Sequence, residues 1–125
     1  MFYFPKLKMT AKFLILITVL LSASVLQADN VLVIQSYSPD YEWTKQIQQG
    51  ITEEIRKSCP ETHIYSEYID AKRVSSEKYF SEFFEMLNTK YQYVSDIDLI
   101  ITCDNAAYAL LKKNDETFYP ATGLI

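Results

Sequence analysis

An α/β fold, with a parallel sheet held between layers of helices, is what this sequence predicts, and three observations predict it. Short apolar runs recur along the chain, and each is followed by a stretch whose apolar residues repeat at helical spacing. Three such strand–helix pairs call for parallel strands joined by right-handed crossovers, three layers in all. With 125 residues, 49% hydrophobic and 22% charged, the chain suits one packed domain.

The elements follow in order. Residues 1–12 are basic, 13–21 (FLILITVLL) form an apolar run, and Ser22, Ala23, Ser24 and Ala28 are small. That pattern reads as a secretory signal over residues 1–28, cleaved after Ser24 or Ala28. An uncleaved anchor is the alternative, since residues 9–28 reach the roughly 20 residues that span a bilayer. The expected location is exported, periplasmic or extracytoplasmic. Residues 31–35 (VLVIQ) are continuously apolar up to Gln35, as in a strand covered on both faces. From 41 to 59, Trp43, Ile47, Ile51 and Ile55 recur every fourth residue, which predicts a helix with Trp43 on its buried face, ended by Pro60.

Residues 63–70 (HIYSEYID) alternate imperfectly and read as an edge strand. Ser75 or Ser76 caps a second helix to about residue 90, burying Phe80, Phe83, Phe84, Leu87 and Tyr91. Residues 96–102 (DIDLIIT) are a third strand. Asp104 or Asn105 is the expected cap of a third helix that buries Ala107, Leu110 and Leu111. Residues 121–125 begin a fourth strand.

Charge narrows the function. Three of the 12 basic residues and none of the 16 acidic ones fall in residues 1–28, so residues 29–125 hold nine bases against 16 acids, a formal net charge of −7. That argues against nucleic acid as a partner. Gly50 and Gly123 are too far apart for a glycine-rich nucleotide loop. The single histidine, His63, starts the second strand and so lies at the far end of the sheet from the strand C-termini, where catalytic groups collect. Cys59 and Cys103 fall at opposite ends of a sheet more than about 15 Å tall, too far for a disulfide, and read as free thiols. No constellation supports catalysis, and none calls for a metal or cofactor.

Ligands in open parallel sheets gather at the carboxyl ends of the strands. Three segments land there. In SYSPDYEWT, Ser36 and Ser38 offer hydroxyls, and Tyr37 and Tyr41 offer aromatic walls, unless the segment only starts the helix. After the second strand, Asp70, Lys72 and Arg73 form either a carboxylate-reading site or a solvated loop. Asp104 and Asn105 cap the third helix, touch ligand, or both. The candidate binding residues are Ser36, Tyr37, Tyr41, Asp70, Arg73, Asp104 and Asn105, and an organic anion or amino-acid-like molecule fits them.

Taken together, VLVIQSYSPDYEWTKQIQQGI, YSEYIDAKR and DLIITCDNAAYALL resemble the ABC-transporter substrate-binding-protein-like family. These are periplasmic binding proteins of type I fold, used as solute receptors and as extracytoplasmic sensor domains of histidine kinases. The likeness rests on Ser36, Tyr37, Pro39, Tyr41, Trp43 and Thr44, then Tyr68, Asp70, Lys72 and Arg73, then Asp104, Asn105 and Ala107. It covers residues 30–111. It implies a two-lobed protein that closes on a small molecule, with residues 29–125 supplying the first lobe, incomplete at the C-terminus, and a membrane transporter or sensor kinase as partner. An exported flavodoxin-like enzyme is the alternative, although no glycine follows the first strand to let a phosphate or flavin approach. A truncated fragment without function is a third.

Overall fold

A computed structural model describes residues 28–94, 96–114 and 117–118. The expected signal over residues 1–28, apart from Ala28, and the expected fourth strand at 121–125 lie outside them. Among the described residues, no helix is long and apolar enough to cross a membrane.

The elements run β1 (Asn30–Gln35), α1 (Glu42–Ser58), β2 (His63–Tyr68), α2 (Glu77–Tyr91), β3 (Leu99–Cys103) and α3 (Asp104–Lys113). The sheet is parallel in the order β2-β1-β3, with Val31 opposite Ile64 on one side and Leu99 on the other. β1 is central, and Val31 to Gln35 are at most 1% exposed, which is why that run carries no alternation. β2 is an edge strand, as its broken alternation predicts. Both strand ends differ slightly from expectation: β2 stops at Tyr68, and β3 starts at Leu99 because Asp98 closes the lead-in. The Asp98 carboxylate accepts the backbone N–H groups of Asp29 and Asn30, each at 2.9 Å.

The alternate faces of β1 divide the core into two layers. Val31 and Val33 pack with Ile47, Ile51 and Ile55 of α1. Leu32 and Ile34 pack with Phe83, Phe84, Leu87 and Tyr91 of α2 and with Ala107, Leu110 and Leu111 of α3. Each fully buried aliphatic side chain here contributes about 1.5–3 kcal/mol. The sheet order accounts for this sidedness. The step from β1 to β2 and the step from β2 back across β1 to β3 run in opposite directions, so right-handed crossovers put α1 and α2 on opposite faces.

Two expectations are corrected. Trp43 does not pack into the core: it is 54% exposed, and Thr44 is the buried residue of α1. The helix runs antiparallel to the strands, so its first turn stands over the strand-end loops rather than over the sheet, and the isoleucine stripe starts only at Ile47. Asp104 and Asn105 do not cap α3. The N-cap is Cys103, which makes no side-chain cap bond, and Asp104 is already the first helical residue. On α2 the cap is Ser76, whose hydroxyl accepts the N–H of Tyr79 at 3.2 Å. Phe80 is only partly buried there. Both described cysteines are free.

Candidate functional site

The three strand-end segments converge on Ser36. Its N–H and its hydroxyl both donate to the carbonyl of Cys103, at 3.1 and 2.6 Å. The same hydroxyl oxygen accepts the N–H of Ala107 at 2.9 Å, and the Ser36 carbonyl accepts the N–H of Ala71 at 2.8 Å. One residue thus ties the end of β1 to the end of β3, to the first turn of α3 and to the loop after β2. Ser36 supplies from across the sheet the acceptor that α3 lacks from its own cap. At 0% exposure, its side chain sits beneath the site surface.

Above it, a Ser38 turn sets up the aromatic groups. The Ser38 hydroxyl accepts the N–H of Asp40 at 3.2 Å, and its carbonyl accepts the N–H of Tyr41 at 3.1 Å. That turn brings Tyr37 and Tyr41 edge to face, with centroids 5.8 Å apart and planes at 79°. The Lys72 ammonium lies 3.8 Å from the Tyr41 ring centre and 5.0 Å from that of Tyr37.

The loop that carries Lys72 turns at Asp70, which adopts φ 59°. Asp is among the few side chains that enter this region readily, yet it still costs about 1 kcal/mol. The Asp70 carbonyl accepts the N–H groups of Arg73 and Val74, and its carboxylate pairs with Arg73 Nε at 3.1 Å. Nearby, the Tyr79 hydroxyl donates to the Ile69 carbonyl, and burial, then the Asp70 charge, holds that phenol above its usual pKa. Tyr37, Ser38, Asp40, Tyr41, Asp70, Lys72 and Arg73 line one open depression of about 430 Å³.

On the other side of β1, Trp43 Nε1 donates to Asp104 Oδ2 at 3.3 Å. Asp104 adopts φ 67°, so among the described residues both non-glycine residues in the left-handed region, Asp70 and Asp104, follow the ends of strands at this edge. Asn105 is exposed beside it. Cys103, beneath, has its thiol pushed up to about 11 by burial and then by the Asp104 charge, which leaves it protonated and a poor nucleophile at neutral pH. His63 is exposed at the start of β2, away from this edge. Among the described residues, no group of three His, Cys, Asp or Glu side chains is placed to hold a metal ion.

Four of the seven candidate residues (Tyr37, Tyr41, Asp70 and Arg73) therefore share one depression. Asp104 and Asn105 stand apart with Trp43, and Ser36 is enclosed below. Lys72 is the member the sequence underweighted: its place beside Arg73 marked it as a cation, but its contact with the two rings depends on the turn at Asp70. Trp43 is the second, because its place in the first turn of a helix that follows a strand end was the signal that outweighed its spacing. Compared with family models, curated proteins and solved structures, the chain matches none.

Proposed function

We propose that this chain is an exported small-molecule binding module, without catalytic activity, that holds its ligand at the carboxyl edge of the sheet. The observation that carries this reading is the depression in which Tyr37, Tyr41, Asp70, Lys72 and Arg73 meet: two aromatic walls, two cations and a carboxylate on a strained turn. Such a mixture of flat apolar surface and a few oriented charges is what recognition of a small organic molecule needs. The open shape leaves one wall of a cleft unmade, which fits the first lobe of a two-lobed solute receptor. A second lobe would complete the enclosure, and a transporter or a sensor kinase would be its membrane partner. The basic and apolar residues 1–28 support export.

Titration of the full chain with amino acids and dicarboxylic acids, followed by calorimetry and by the ring resonances of Tyr37 and Tyr41, tests this. The expected result is saturable binding by at least one of them, weakened by Arg73→Gln. Binding that leaves both rings unperturbed, or no binding by any of them, overturns it.

A further inference from the structure

The depression already holds a cation, its own. The Lys72 ammonium rests on Tyr41 and Tyr37, although the carboxylates of Asp40 and Asp70 line the same hollow. Asp70 pairs with Arg73 at 3.1 Å, so the two cations of the hollow are divided, Arg73 to the carboxylate and Lys72 to the rings. The near-perpendicular rings, at 79°, let one ammonium lie within about 6 Å of both centres, the range in which the ring quadrupole attracts a cation. Residues 29–125 carry a net −7, which favours encounter with a cation from solution.

We infer that the Tyr37–Tyr41 pair is a receptor for an organic ammonium group, and that Lys72 occupies it as a tethered competitor. The inference rests on the proposed binding role of this depression and names the charge class of its ligand. A ligand ammonium displaces Lys72 from the rings, and the displaced side chain is then free to meet an anionic group of the same ligand beside Arg73. The competitor has a cost in affinity. An exposed cation–ring contact populates the self-occupied state enough to weaken an incoming cation about three- to sixfold.

The test is titration of the full chain with tetramethylammonium chloride against a sodium chloride control, read by the ring proton shifts of Tyr37 and Tyr41. Lys72 is exposed, so Lys72→Met leaves the core untouched. The expected result is binding tightened about three- to sixfold in Lys72→Met and lost again in Lys72→Met with Tyr41→Leu. Lys45→Gln removes the same charge one helical turn beyond Tyr41, outside the lining of the hollow, and leaves affinity within about twofold. Equal tightening in Lys45→Gln and Lys72→Met overturns the inference, because charge alone then explains the gain. So does a titration that never moves the two rings. Loss of the ammonium response with retained binding of an amino acid or dicarboxylic acid refutes only this inference; loss of both refutes the binding role as well.

Discussion

The hydroxyl of Ser36, just beyond the central strand, accepts the backbone N–H of Ala107 at 2.9 Å, across 71 positions of sequence. The same hydroxyl donates to the carbonyl of Cys103, so a single buried oxygen joins the end of β1 to both the last residue of β3 and the first turn of α3. The candidate site stands on this junction. The first of its surface rings, Tyr37, comes directly after a residue with every polar atom engaged.

Ser36→Ala is therefore expected to destabilise the fold by about 1–3 kcal/mol, since it strands a buried amide at Ala107 without an acceptor. Chemical denaturation measures this. A loss under about 0.5 kcal/mol would mean that water or a rearranged turn replaces the hydroxyl.

Trp43, the only tryptophan, reports on the site edge. Because it is 54% exposed, its fluorescence is expected to be quenched readily by acrylamide in the folded state, and Trp43→Leu to change stability by no more than about 1 kcal/mol. A core tryptophan would be shielded, and its truncation would cost about 3–5 kcal/mol.

Asp70 separates backbone strain from charge. Asp70→Gly and Asp70→Ala both remove the partner of Arg73, but only glycine accepts φ 59° freely. The glycine variant is expected to be more stable than the alanine one by about 1 kcal/mol in denaturant titrations. Equal stabilities would show that the turn relaxes out of the left-handed region.

Alkaline pH should weaken the fold. The Cys103 thiol ionises near 9.0 when unfolded but only at about 11 in the folded chain, so folding favours the protonated form. Its contribution is complete below pH 9 and is lost as pH rises to about 11, on the order of 2 kcal/mol at most. Tyr91 acts in the same direction above pH 10, held protonated by burial and by its hydrogen bond to Glu67. Stability measured from pH 8 to 11 is expected to fall, and Cys103→Ala to flatten the first part of that fall. An unchanged slope in the variant would assign the loss to other groups.

What the sequence by itself determined were the elements and their inner faces. The isoleucines of α1 repeat every fourth residue, the aromatic stripe of α2 is spaced for one face, and the unbroken run of β1 marks a strand covered on both sides. These are local properties, set by side-chain period, and the edge position of β2 followed from its broken pattern in the same way. Tertiary structure decided the rest. Trp43 shares the period of Ile47, yet whether a strand lies beneath it depends on where α1 stands over the sheet, and its partner Asp104 is 61 residues away. Asp104 has the chemistry of a cap, but the Ser36 hydroxyl just beyond β1 already meets the helix amide, and the chain turns through a left-handed conformation instead. Lys72 meets Tyr41 only because Asp70 bends the loop back. Each of these outcomes is a competition between partners distant in the chain, and only packing brings such partners into contact.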